Sequence, residues 1–135
     1  MESPRDSLGF LMADVSRLMR RAFARQMDDG TSTLTFAQAR ALVHLARAEG
    51  LRQVELASLL EVQPITLARL IDQLDARGLV ERRADPHDRR ARRLFLTPAA
   101  APHLAAILAV GASVRAAALR DIGAAQAAAL SATLG

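Results

Sequence analysis

The sequence predicts a mainly α-helical fold interrupted by a single small β-hairpin, and three observations carry that reading. About half of the 135 residues are hydrophobic, yet the aromatics are only Phe10, Phe23, Phe36 and Phe95. The core is therefore Leu, Ala, Val and Ile, a palette that favours packed helices. Apolar residues recur at three- and four-residue spacing through most of the chain, the period of a helix burying one face. The exception lies between Leu79 and Leu96, where two short runs flank the turn-forming segment Asp85-Pro86-His87-Asp88.

Taken in order, Leu8, Leu11, Val15, Leu18, Ala22 and Phe23 predict one amphipathic helix over residues 6–28. Arg17, Arg20, Arg21 and Arg25 fall on its other faces, and Asp28-Asp29-Gly30 closes it with a turn. A second helix is expected over 36–48, with Thr35 as N-cap and Gln38 completing only part of a capping box. Ala39, Leu42, Val43 and Ala46 are its expected buried stripe, and Glu49-Gly50 stops it. Two short helices follow at 52–60 and 63–77, joined by Glu61-Val62. The first carries Val54, Leu56, Ala57, Leu59 and Leu60; the second turns Ile65, Leu70 and Leu74 inward. Pro64 suits a first helical turn, and Gly78 suits the position just past a helix end. This is a helix-turn-helix arrangement. Strands at 79–83 and 92–96 make a hairpin directly after it, the position of a wing. Thr97 as N-cap and Pro98 as first residue start a helix reaching about residue 122; Gly123 breaks it, and 124–134 form a last short helix.

The predicted organisation is thus a winged helix-turn-helix lobe over 33–97, flanked by an N-terminal dimerisation helix in 1–32 and C-terminal dimerisation helices in 98–135. The terminal helices are more apolar than so small a lobe can cover. Exposed, they would form a patch of the kind that marks association, and a two-fold dimer is the commonest closed solution.

Composition excludes several function classes. The absence of cysteine removes disulfides, thiolate metal sites and thiol redox sensing. The N-terminal segment lacks a signal-peptide pattern. Residues 98–114 carry no formal charge apart from His103, but they are dominated by Ala and contain Pro98, Pro102 and Gly111. They read as a buried soluble helix and not a membrane span, so no membrane partner and a cytoplasmic location are expected. No Gly-rich phosphate loop or nucleophile elbow is present, so an enzyme is not expected. Asp85, His87 and Asp88 are metal-ligand types, but the surrounding Arg opposes cation binding; His44 and His103 read as core or interface residues. No metal and no cofactor are expected.

The net charge is +4 and every cation is Arg. Base composition accounts for Arg over Lys, so placement is the informative quantity. Arg82, Arg83, Arg89, Arg90, Arg92 and Arg93 crowd one hairpin, a cationic stripe suited to phosphate. Neighbouring strand positions point to opposite faces, so not all can meet one duplex. Arg89 or Arg90, near the tip, is best placed for a narrow minor groove. On the preceding helix, Gln63, Thr66 and Arg69 are the polar groups of one side; Gln pairs with adenine, Arg with guanine, and Thr with a base edge or phosphate. Asp88 is suited to hold an Arg by a charge-assisted contact, while Asp85 shapes the turn before Pro86. A second reading remains open, in which the basic wing binds an acidic protein partner. Gln63, Thr66 and Arg69 discriminate between the two, because an acidic-surface binder needs only the Arg cluster.

The runs Gln53-Val-Glu-Leu-Ala, Thr66-Leu-Ala-Arg-Leu-Ile-Asp-Gln-Leu, Gly78-Leu-Val-Glu-Arg and Asp88-Arg-Arg-Ala-Arg-Arg-Leu-Phe-Leu-Thr-Pro resemble the MarR family of transcription regulators, most closely its SlyA-type branch. The resemblance spans residues 33–103. It implies a homodimer, joined through the first and the last two helices, that binds a pseudo-palindromic operator in double-stranded DNA and usually represses. It places the minor-groove arginine at Arg90, a bracing aspartate at Asp88 with Arg69 as partner, and Gln63, Pro64 and Thr66 at the start of the recognition helix. With Gln53, Arg82, Arg83, Arg89 and Arg92 as further contacts, these make the candidate DNA-binding set. It also implies a small aromatic or anionic effector, such as a phenolic carboxylate, lodged between the dimer helices and the lobe. Arg17, Arg21, Arg25 and Arg47 are candidates for it by position only, and plain solvent exposure accounts for them equally well. The chain departs from the family pattern in its short, Ala-rich last helix and in the few residues before its first.

Overall fold

The computed structural model describes residues 7–29 and 33–135. Its elements run α1 (Leu8–Asp29), α2 (Phe36–Arg47), α3 (Gln53–Leu60), α4 (Pro64–Ala76), β1 (Val80–Ala84), β2 (Arg92–Leu96), α5 (Ala100–Ala118) and α6 (Ala124–Leu134). The turn expected at Gly30, the domain boundary at 32 and the chain before residue 7 lie outside the described residues.

The chain forms two compact units: residues 31–107, and a second made of 1–30 with 108–135, in each case as far as described. The lobe therefore runs past the boundary expected at 97 and takes in the start of α5, where Ala100 and Ile107 are buried.

In the lobe, α2, α3 and α4 pack on one another and on the hairpin. Leu42, Leu45, Leu56, Leu67, Ile71, Leu74, Val80 and Leu94 are the largest of its fully buried side chains. Local chemistry sets the ends of the helices. Thr35 accepts from the Gln38 N–H at 3.2 Å, and the Gln38 side chain accepts from the Thr35 N–H at 3.1 Å. The capping box is complete and not partial, because a glutamine carbonyl accepts there as a glutamate would. The buried residues of α2 are Gln38, Ala39, Ala41, Leu42 and Leu45. Ala46, expected inside, is exposed, since it lies about 100° round the helix from Leu45.

Helix α3 opens at Arg52, whose N–H donates to Glu55 at 2.9 Å. It ends at Glu61 in the left-handed region with φ 54°, and Arg40 donates to the Leu60 carbonyl at 3.1 Å. Helix α4 begins on Pro64 and stops before Gly78, whose φ is 71°. Its inward stripe is Leu67, Ile71 and Leu74. Ile65, expected to face inward, is instead 67% exposed. It sits about 200° round the helix from Leu67, on the side away from the core.

Strands β1 and β2 pair antiparallel with Val80 opposite Leu96, Arg82 opposite Leu94 and Ala84 opposite Arg92. Residues 50–52 extend this pairing on the other side of β2: the Gly50 N–H donates to Leu94 O and the Leu94 N–H to Leu51 O, each at 2.9 Å. Arg52 and Arg93 form a bridge there. Helix α5 starts at Ala100, later than expected: the Ala100 N–H donates to the Thr97 carbonyl at 3.0 Å to close a turn there, and the Thr97 hydroxyl donates to the Gly78 carbonyl.

The second unit is very different. Met27 and Val114 are its only buried residues among those described, while Leu8, Phe10, Leu11, Met12, Val15 and Leu18 of α1 lie exposed. Leu108, Ile122, Leu130 and Leu134 are exposed as well. Helix α5 is long and apolar enough to cross a membrane by length and composition. It buries only the line Ala100, Ile107 and Val114, at intervals of seven, so the buried helix expected from its apolar sequence is covered along one narrow stripe.

Candidate nucleic-acid interface

The site is assembled from the N-terminal half of α4 and the hairpin, both in the lobe. On α4, Gln63, Pro64, Ile65, Thr66 and Arg69 are exposed. Among the described residues, Gln63, Thr66 and Arg69 make no side-chain hydrogen bond or ion pair, so their polar groups face solvent.

The arginines of the wing divide into two sets. Arg82 reaches back across the lobe: its guanidinium donates to Gln53 Oε1 at 3.1 Å, to Asp72 Oδ1 at 2.6 Å and to the Ala68 carbonyl at 3.4 Å. Asp75 lies 3.5 Å away. Arg82 therefore ties β1 to α3 and α4, and Gln53 is spent on it. Arg83 donates to Glu81 at 2.6 Å and lies 3.9 Å from the Phe95 ring centre, a cation–π contact. Arg93 donates to Asp85 at 2.8 Å and to the Gly50 carbonyl at 3.3 Å. Arg89, Arg90 and Arg92 form the second set: they are exposed and have no side-chain partner among the described residues. The free cations are thus gathered at the tip and at the first residue of β2, while Arg82, Arg83 and Arg93 further along the strands are engaged.

Asp85 is the fixed point beneath that tip. It is 4% exposed and accepts from the side chains of Arg52 at 3.1 Å and Arg93 at 2.8 Å. It also accepts from the backbone N–H groups of His87 at 2.8 Å and Asp88 at 3.1 Å. The His87 N–H foremost, with Arg93 and the Asp88 N–H, holds its carboxyl well below the usual carboxylate range against the opposing effect of burial. One side chain thus locks the turn and joins the wing to the start of α3.

This redistributes the roles expected of the two aspartates. Asp88 does not meet Arg69; its carboxylate accepts the Arg90 N–H at 2.9 Å. The backbone two residues on lies within reach of a short carboxylate side chain, the geometry of an Asx turn. Bracing falls to Asp85, and its partners are Arg52 and Arg93. Arg52 was missed in the sequence. Its signal is an arginine at an N-cap, where Ser, Thr, Asp or Asn is preferred.

Comparison with known proteins follows the same lines. A sequence model of the MarR family matches residues 32–91. The chain is similar to the solved structure of the Multiple Antibiotic Resistance Repressor, MarR, with TM-score 0.85 and 27% identity over 95% of this chain and 92% of that one. It is similar to wild-type MarR from E. coli in its apo form, with TM-score 0.83 and 26% identity over 95% and 93% of the two chains. A mutant MarR from E. coli complexed with operator DNA gives TM-score 0.75 and 27% identity over 94% and 90%. The chain has the winged-helix fold of these regulators.

Proposed function

We propose that this chain is a MarR-family transcription regulator that binds a pseudo-palindromic operator as a homodimer and works in the cytoplasm, a repressor released by a small aromatic or anionic effector. The observation that carries the reading is the division of the wing: Arg89, Arg90 and Arg92 stand free at the tip and the start of β2, over a base fastened by Asp85 to Arg52 and Arg93. A solubilising hairpin needs no such base. In the proposed complex Arg90 enters the minor groove, Arg89 and Arg92 meet phosphates, and Gln63, Thr66 and Arg69 read base edges in the major groove. The SlyA-type attribution rests on the sequence of the same helix and wing.

Dimerisation is supported by the second unit, whose apolar side chains on α1, α5 and α6 are left uncovered in the single chain. A two-fold axis through them is expected to set the recognition helices about one DNA turn apart. For the effector, Arg21, Arg25 and Arg47 are exposed cations without an ion pair among the described residues, while Arg17 pairs with Asp14 at 3.5 Å.

Selection of bound duplexes from random DNA, followed by footprinting, tests the reading. The expected result is an enriched inverted repeat, with affinity falling steeply in salt. Arg89 and Arg92 of each protomer, four phosphate ligands in a dimer, give a slope of log affinity against log salt of about −4. Benzoate or hydroxybenzoate is then titrated against the complex, and release of DNA is expected. No enrichment and a flat salt response would favour the acidic-partner reading.

A further inference from the structure

We propose that Ile65 reads the methyl group of a thymine in the major groove, and so sets part of the sequence preference of this chain. The inference rests on the DNA-reading function proposed above. Ile65 lies in the first turn of α4 and is 67% exposed, although its size and chemistry suit the core. It shares a helix face with Arg69, four residues on, and adjoins Thr66, both exposed and unpartnered among the described residues.

Two features single it out from an ordinary surface aliphatic. The first is the boundary of the reading face. Asp72 and Asp75 occupy the next turns of α4, and Arg82 draws both towards the wing. Their carboxylates are unsuited to phosphate, which confines close approach to the first turns, where Ile65 sits. The second is chemical complementarity. Base edges in the major groove offer donors and acceptors, and the thymine C5 methyl is the one apolar group among them. A side chain with no polar atom, next to Thr66 and one turn before Arg69 on the same face, matches that group and would leave any other base edge unsatisfied. Val54 and Leu59, the other large exposed aliphatics of the lobe, lie on α3 and not on the reading helix.

The test uses the full chain and the duplex it enriches from random DNA. Each thymine is replaced singly by deoxyuridine, which removes the methyl and keeps every hydrogen-bonding group. One thymine in each half-site is expected to be sensitive, with affinity falling about fourfold per half-site and about fifteenfold when both are replaced, the scale of one methyl lost from an apolar contact. Ile65→Ala is expected to bind the thymine and uracil duplexes alike, with an unchanged unfolding midpoint because the side chain is outside the core. A wild-type protein indifferent to uracil at every position overturns the proposal while leaving DNA reading intact. So does an Ile65→Ala variant that keeps the full thymine preference. Failure of the wild type to enrich any sequence removes the DNA-reading function itself, and the inference with it.

Discussion

Replacing Arg82 by alanine separates two roles that its position allows, a phosphate ligand and a tie between wing and recognition helix. The side chain is 23% exposed and Asp72 is 66% exposed, so the two contacts with good geometry differ in worth. The bond to Gln53 at 3.1 Å is partly buried and charge-assisted, contributing about 1.5 kcal/mol. The ion pair with Asp72 is screened by solvent and contributes about 0.5 kcal/mol. The contacts to Ala68 and Asp75, at 3.4 and 3.5 Å, are near the geometric limit and add little. Arg82→Ala is therefore expected to cost about 2 kcal/mol of stability. With a typical urea dependence this lowers the midpoint by about 1 M. The chain has no Trp or Tyr, so far-ultraviolet circular dichroism is the suitable signal. A salt titration of DNA binding supplies the second reading. A phosphate ligand, once removed, reduces the salt slope by about 1 per site, whereas a tie lowers affinity and leaves the slope in place. An unchanged urea midpoint together with a reduced slope would refute the reasoning.

Other perturbations follow from the same geometry. Arg90→Ala is expected to weaken operator binding by roughly tenfold, corresponding to about 1.4 kcal/mol, while sedimentation shows the same oligomer; equal binding by anisotropy would remove the wing-tip assignment. Asp85 in the folded chain binds its proton less readily than in the unfolded chain. Its stabilisation is thus complete above about pH 4 and is lost as the pH falls below that value. Asp85→Asn should flatten the acid limb of a stability–pH curve, and an acid limb identical to wild type would count against the role. Leu11→Arg with Leu18→Arg, both on the exposed side of α1, should shift the protein from dimer to monomer in size-exclusion chromatography and reduce operator affinity. A dimer that persists would place the interface elsewhere.

The helices and the hairpin were legible because each is encoded over a few residues. Periodicity marks α3 and α4, Pro64 and Gly78 mark the ends of α4, and the Asp85–Asp88 segment marks the turn. Errors arose where a residue has two local uses. Thr97 has the composition of an N-cap, but its hydroxyl finds the Gly78 carbonyl, a partner that exists only once α4 and β1 are in place. Ile65 is apolar and adjoins an inward stripe, but a helix turns by about 100° per residue and carries it to the far side. The candidate site was legible as a cluster of arginines and a polar helix face. Which arginines are free was not, because Arg52 and Asp85 stand 33 positions apart, and Arg82 and Gln53 stand 29. Pairings of that range are created by the packing of the lobe and leave no periodic trace. The exchange of roles between Asp85 and Asp88 has the same origin: both suit the turn, but Arg52 and Arg93 converge on Asp85.

The anchoring of Asp85 also bears on how the wing evolves and how fast it binds. With a base held by Arg52 at the start of α3 and by Arg93 of β2, docking in the proposed complex is expected to immobilise only the side chains of Arg89, Arg90 and Arg92. That leaves about 0.5–1.5 kcal/mol of ordering entropy for each and no loop-folding step on the association pathway. It also makes the tip a separable cassette. Arg89, Arg90 and Arg92, whose side chains have no partner among the described residues, can be exchanged to alter charge preference while Asp85, Arg93 and the lobe beneath them keep their contacts.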